Sequence, residues 1–139
     1  MSDRIIVLQK VISQRTQPPV GLRIWSDGLV QRPAADNPLP AATERLDKDR
    51  DLRWEDDRRL SRSQIEAVQE AIRQVGFFAL PPVMLINYCK EDPGTAIWTA
   101  NVDGQTARVV VFDPRPRRSA ELDRLSAVLD EILGKTSGN

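Results

Sequence analysis

The sequence predicts one α+β domain over residues 1–139, with an antiparallel sheet of about five to six strands and two helices packed on one face. Three observations predict this class. Two Asp-Gly dipeptides, Asp27-Gly28 and Asp103-Gly104, lie between apolar runs, as in β-hairpins. Two further segments repeat apolar residues at helical spacing. The length is sufficient for one domain with its own core.

The hairpin at Asp103-Gly104 is the clearest strand element. A two-residue type I′ turn requires positive φ at both positions, which Asp-Gly tolerates. Centring the turn there pairs Trp98 with Val109 and makes one face of the hairpin apolar throughout. The other face is apolar only at its base, near Ile97. This pattern is typical of an antiparallel sheet that buries one face under helices.

A further strand is predicted just before this hairpin, in residues 83–90. Pro93-Gly94 suits a type II turn, because Pro sets φ and Gly accepts a positive φ. We therefore expect a three-stranded antiparallel meander over residues 83–113. Pro114 ends it, since proline cannot donate to the ladder.

The first helix is predicted over residues 62–75. Ser61 suits the N-cap and Gln64 stands three residues later, which together make a capping box. Gly76 suits the left-handed position after the helix. All local signals agree on these boundaries.

The second helix is predicted over residues 119–133, where leucines and isoleucines form a broad stripe. Ser119 is the expected cap and Gly134 the expected stop. Residues 135–139 are expected to be a frayed tail.

The N-terminal part repeats the hairpin theme less clearly. Residues 4–12 predict a strand and residues 20–32 a hairpin around Asp27-Gly28. A flexible insert rich in proline and charge is expected at about 34–52. Residues 52–61 indicate a short strand that leads into the first helix.

This order of elements resembles small bacterial domains of unknown function with a hairpin–helix–Phe-Phe–hairpin–helix layout. The resemblance covers residues 20–134 and is carried by the motifs SDG, LSRSQIEAVQEAI, GFFAL, VDG and ELDRLSAVLDEIL. It implies the fold and no activity or catalytic residue. The dipeptide Ile-Trp also precedes Asp-Gly twice, at Ile24-Trp25 and Ile97-Trp98, which a duplication or a shared preference for hairpins explains equally well.

Composition limits the possible chemistry. Twenty basic and twenty acidic residues cancel, which argues against a dedicated nucleic-acid binder. The absence of histidine removes the commonest general base and most zinc sites. Cys89 is the only cysteine, so no intrachain disulfide is possible. With no signal peptide or membrane-spanning run in the sequence, we expect a cytoplasmic protein without a cofactor.

Two metal-like or phosphate-like motifs fail on inspection. Asp47, Asp49 and Asp51 have the spacing of a calcium loop, but Leu52 and Arg58 replace its glycine and glutamate. A solvated mixed-charge segment is the better interpretation. The GKT at residues 134–136 follows a helix, whereas a phosphate loop opens one.

Two further candidates have plain structural interpretations. Cys89 beside Tyr88 has no histidine to activate it, so a buried structural cysteine is favoured. Trp54, followed by acidic residues 55–57, suggests either a carboxylate site or a charged edge strand, and the second is favoured. The phenylalanines and tryptophans are expected in the core.

The cluster Arg115, Arg117 and Arg118 precedes the second helix, whose N-terminus attracts anions. An anion site competes there with a solvated loop paired to acids such as Glu121, and the sequence favours the loop. The functional hypothesis is a non-catalytic interaction or ligand-binding module. Its partner is expected to be a protein or a small anion, with a homodimer possible, no membrane, and nucleic acid disfavoured. A carboxylate-based hydrolase is the alternative.

Overall fold

The computed structural model describes residues 4–14, 17–36, 52–81, 83–85, 95–112 and 120–136. They form strands β1 (Ile6–Gln14), β2 (Gln17–Trp25), β3 (Leu29–Pro33), β4 (Trp54–Arg59), β5 (Val83–Leu85), β6 (Thr95–Val102) and β7 (Gln105–Phe112). The helices are α1 (Arg62–Gln74) and α2 (Ala120–Thr136), and a short 3-10 helix at Phe77–Ala79 follows α1.

The described strands make one sheet in the order β4-β3-β2-β1-β6-β7-β5. The six strands from β4 to β7 form five antiparallel pairs, which confirms the predicted α+β class. β1 lies between β2 and β6, so it joins the N-terminal hairpin to the C-terminal hairpin. The strand order could not be predicted, because the sequence does not show which strand edges remain open for β1.

The hairpin of β6 and β7 has the predicted register. Trp98 lies opposite Val109 and Val102 lies opposite Gln105. Asp103 and Gly104 have φ values of 57° and 78°, so both turn residues are left-handed.

β5 corrects the predicted meander. It is parallel to β7 and does not pair with β6, with Val83 opposite Val110 and Leu85 opposite Phe112. The physical reason is that both edges of β6 are already paired, one with β1 and the other with β7. Within this hairpin, only the outer edge of β7 is left for β5. The proposed turn at Pro93-Gly94 lies outside the described residues.

The start of α1 confirms the sequence prediction. The Ser61 hydroxyl accepts from the Gln64 backbone N–H at 3.2 Å, and the Gln64 side chain accepts from the Ser61 N–H at 2.8 Å. The helix ends with Val75 as C-cap, and Gly76 follows in the left-handed region with φ 69°. Local side-chain chemistry is therefore enough to set both ends of α1.

The predicted end of α2 is wrong. The helix continues through Gly134 to Thr136, so Lys135 and Thr136 are helical, and the expected fraying of residues 135–139 stays a prediction. A glycine inside a helix costs only about 1 kcal/mol relative to alanine, which does not force an end. The expected cap Ser119 and residues 137–139 lie outside the described residues.

Both helices pack on the same face of the sheet, as predicted. The shared core contains Leu8, Ile24 and Trp98 from the sheet together with Ile65 from α1 and Leu125 from α2. Trp98 and Phe77 are therefore core residues, as the sequence indicated.

The predicted insert at about 34–52 is anchored at both ends. Ala34 is fully buried and its N–H donates to the Arg53 carbonyl at 2.9 Å, and Leu52 is also buried. Residues 37–51 lie outside the described part. The short strand expected after the insert is β4, at the edge of the sheet.

Candidate binding surface

The sheet has a second face, the one opposite α1 and α2. Side chains alternate between the faces of a strand, so Gln9 and Val11 lie on the second face while Leu8 and Lys10 lie under the helices. Val11 and Ile97 are nearly inaccessible although they are on the second face. This agrees with the prediction that the base of the β6–β7 hairpin is buried on both sides.

A row of polar residues crosses six strands on the second face. Residues opposite each other in antiparallel strands share a face, and the register aligns one polar residue from each strand. From β7 to β4 the row contains Arg108, Thr99, Gln9, Arg23, Gln31 and Asp56. Gln9 is buried, and its side-chain carbonyl accepts from Nε of Arg23 at 2.7 Å.

Trp25 on β2 and Trp54 on β4 lie beside the end of this row that β2, β3 and β4 form. The guanidinium of Arg23 lies 4.0 Å from the ring centroid of Trp54 and 5.6 Å from that of Trp25. Arg4 stacks on Trp25 at 4.1 Å. These are distances at which a cation is attracted to the face of an indole ring.

Hydrogen bonds also link the side chains around these two tryptophans. The indole N–H of Trp25 donates to Gln31 Oε1 at 2.7 Å, and Gln31 Nε2 donates to Asp56 Oδ1 at 3.0 Å. Trp25, Gln31 and Trp54 are all half-buried. We call this group the Trp25–Trp54 cluster, and its members are Arg4, Arg23, Trp25, Gln31, Trp54 and Asp56.

The acidic residues after Trp54 do not form a paired-carboxylate site. Glu55 lies 3.9 Å from Arg53, and Asp57 contacts Arg32 at 3.4 Å and Arg58 at 3.1 Å. Glu55 and Asp57 therefore each have a basic neighbour, and Asp56 accepts from the Gln31 amide, as expected for a charged edge strand. Among the described residues no group of three or more acidic or cysteine side chains is placed to hold a metal ion.

A separate groove of about 400 Å³ lies where α1 begins, lined by Ser26, Asp27, Leu60, Arg62, Ile65, Glu66 and Gln69. The backbone N–H of Leu29 lowers the pKa of Asp27, and Arg4 and Arg59 lower it further. A lowered pKa favours the carboxylate, whereas a general acid needs a raised pKa. Asp27 therefore does not have the raised pKa of a general acid.

Lys10 is an ionisable group on the face of the sheet that the helices cover. Its ammonium lies 4.7 Å from the ring centroid of Trp98 and 3.5 Å from the hydroxyl of Ser126. Burial lowers its pKa, while Asp130 and Asp123 act in the opposite direction. Lys10 does not line the groove, so the two features do not combine into one site.

Several predicted site residues lie outside the described residues. They are Arg115, Arg117 and Arg118, the Tyr88-Cys89 pair, and the calcium-like Asp47, Asp49 and Asp51. The GKT motif falls in the last turn of α2, which agrees with its rejection as a phosphate loop.

The sequence did not predict the Trp25–Trp54 cluster. The sequence predicts core positions for the tryptophans, and Trp54 stands out only through its acidic neighbours. A signal was present, because Arg23 and Trp25 are two residues apart and must share a strand face. The contact of Arg23 with Trp54 could not be found this way, since it depends on the pairing of β3 with β4.

Comparisons with known proteins returned no match for this chain among family models, curated proteins or solved structures. Neither described helix is long and apolar enough to cross a membrane. The inference of function therefore depends on the surface itself.

Proposed function

We propose that this chain is a non-catalytic interaction module that binds a protein partner through the Trp25–Trp54 cluster. The observation that carries the proposal is the pair of half-buried indole rings on the sheet face opposite the helices. Tryptophan and arginine are the side chains most enriched among residues that dominate protein-binding energy.

The cluster is also ordered before any partner arrives. Arg23 is held by Gln9 and by the Trp54 ring, and Trp25 is held by Gln31 and Arg4. Ordering a flexible side chain on binding costs roughly 0.5–1.5 kcal/mol, and side chains that are already held avoid part of this cost. A rigid aromatic surface with polar groups around it is suited to protein recognition.

A cytoplasmic location is part of this proposal. It is supported by the single cysteine, because small secreted domains commonly depend on intrachain disulfides. The small-anion alternative rests on Arg115, Arg117 and Arg118, which lie outside the described residues, and it stays a prediction. A rise in melting temperature with phosphate that disappears in the triple alanine variant would support that alternative.

The experiment compares proteins captured from an extract of the native host by the wild-type chain and by Trp54→Ala. Trp54 lies on an edge strand, so its removal disturbs the core less than removal of Trp98 would. Arg62→Ala is the matched control, because Arg62 is on α1 with its side chain 94% exposed. Circular dichroism and thermal melting verify that each variant is folded.

A captured protein supports the proposal only if it passes a second measurement. It is purified, and its affinity is measured by calorimetry for the three chains. We expect Trp54→Ala to weaken binding by about tenfold or more, which is about 1.4 kcal/mol, and Arg62→Ala to leave it unchanged. Equal affinity of all three chains would exclude the cluster as the binding surface.

A further inference from the structure

Strand β4 ends the sheet in the described part of the chain, where β3 is its only strand neighbour. An edge strand presents backbone N–H and C=O groups that a further strand can pair. The charges along β4 are divided by sign. Three acidic residues, Glu55, Asp56 and Asp57, come first, and Arg58 and Arg59 follow.

Because of this order, β4 is complementary in charge to an antiparallel copy of itself. When two copies of one strand pair antiparallel around a two-fold axis, the first half of each lies opposite the second half of the other. The acidic half of β4 then faces the basic half in both directions. Parallel pairing would place like charges opposite each other, which is destabilising. We propose that two copies of this chain associate by antiparallel pairing of β4, giving one continuous sheet.

Charges and bulges on an edge strand commonly prevent pairing, and β4 has both, with a register shift against Val30 and Gln31. Edge-strand charges prevent pairing when two copies of the strand repel each other, and this requires charges of one sign along the strand. A strand whose acidic and basic residues lie in separate halves attracts an antiparallel copy instead. The bulge increases the local twist and restricts pairing to a short segment, so the association is a reversible dimer.

Glu55 and Arg59 are exposed charged side chains near the two ends of β4, on opposite faces of the strand. Their side chains are 64% and 60% exposed. Glu55 lies 3.9 Å from Arg53. Arg59 lies 3.6 Å from the Asp27 carboxylate and also donates to the Asp27 backbone carbonyl at 3.2 Å. Exposed pairs of this kind contribute about 0–1 kcal/mol, so a new partner can compete with them.

The dimer would also enlarge the surface described above. A two-fold axis perpendicular to the sheet keeps the second face of both copies on the same side. Trp54 and Asp56 lie on β4, next to that axis, and paired strands are about 4.8 Å apart. The two Trp25–Trp54 clusters would then form one continuous surface. The dimer itself does not depend on the proposed protein partner.

Sedimentation equilibrium of the full chain over a range of concentrations tests the proposal. We expect the mass to rise with concentration from the 15.6 kDa of one chain towards twice that value. High salt should reverse the rise, because it screens exposed charges. Hydrogen exchange of the β4 amides should slow as the concentration increases. A chain that stays monomeric throughout would overturn the proposal.

Charge reversal identifies the strand involved. Glu55→Lys makes the charged part of β4 mostly basic and Arg59→Glu makes it mostly acidic, so each variant should dissociate at least about tenfold more readily than wild type. An equal mixture of the two should recover the dimer, since a strand of net positive charge attracts a strand of net negative charge. Glu66→Lys, on α1, is the control and should behave as wild type.

Thermal melting establishes that each variant is folded. If the mixture stays monomeric while the wild-type chain dimerises, or if neither reversal weakens the dimer, then β4 is not the interface. Failure of the capture experiment with Trp54→Ala would leave the dimer unaffected, so the two proposals are tested separately.

Discussion

The two Asp-Gly hairpins of this sheet have the same dipeptide at the turn and differently built turns. Between β6 and β7 the turn has two residues, and Asp103 and Gly104 both have positive φ. Between β2 and β3 the loop has three residues, and of these only Gly28 has a positive φ, of 101°. Gly28 is buried and Gly104 is exposed.

Tertiary contacts explain the difference. The carbonyl of Gly28 accepts from the Leu60 N–H at 2.8 Å, so this loop also closes the link from β4 to α1. A Cβ on Gly28 would lie 2.5 Å from the Leu60 carbonyl oxygen, whereas a Cβ on Gly104 meets nothing within 4 Å. One glycine is required by its neighbours and the other by its backbone conformation alone.

The tryptophans before the two turns also differ. Trp98 is buried under the helices, and Trp25 lies on the second face. Trp98 precedes its Asp-Gly turn by five residues and Trp25 by two. Side chains alternate between the two faces of a strand. An odd separation from the turn for Trp98 and an even one for Trp25 therefore go with opposite faces of the sheet. The shared Ile-Trp dipeptides therefore have different structural roles.

The largest expected effect is that of Gly28→Ala. The added Cβ would meet a backbone oxygen, which cannot move without disturbing the start of α1, and φ is unfavourable for alanine. We expect a loss of about 3 kcal/mol or more in the free energy of unfolding, measured by urea denaturation. A loss below about 1 kcal/mol would mean that the loop can move away from Leu60.

Gly104→Ala is the matched change at the other hairpin, and its expected effect is smaller. The Cβ has open space there, so the cost is only that of a left-handed alanine, about 1–2 kcal/mol. The same urea titration measures it. A cost equal to that of Gly28→Ala would contradict the distinction between the two turns.

The smallest expected effect concerns the two aspartates. The Arg73 guanidinium lowers the pKa of Asp103 through hydrogen bonds of 2.8 and 3.2 Å, and the Leu29 N–H lowers the pKa of Asp27. A lowered folded-state pKa adds stability above the usual value of 3.8, and this contribution is lost as the pH falls through the folded-state pKa.

Asp27→Asn and Asp103→Asn should therefore each reduce the loss of stability on acidification below about pH 4. Asparagine keeps an oxygen acceptor and tolerates positive φ, so the change isolates the charge. Urea titrations at pH 7 and near pH 3 measure the effect. Both groups are exposed and screened, so the changes should be small. An unchanged dependence on pH in both variants would show that neither carboxylate contributes.

The sequence by itself determined the elements whose causes are local. The capping box at Ser61 and Gln64, the left-handed Gly76 and the Asp103-Gly104 turn each involve residues within a few positions. The α+β class follows from these elements and from the alternation of apolar residues. The charged character of β4 could also be predicted, since it follows directly from the amino acids at residues 55–59.

Only the tertiary structure decided how these elements are arranged. β5 is parallel because β1 occupies the edge of β6 that the predicted meander required. α2 passes through Gly134 because one unfavourable residue does not end a helix. The Trp25–Trp54 cluster joins residues from β2, β3 and β4, and Arg23 meets Trp54 only after β3 has paired with both neighbouring strands. Pairing between distant strands depends on which edges are free, and no short stretch of sequence contains that information.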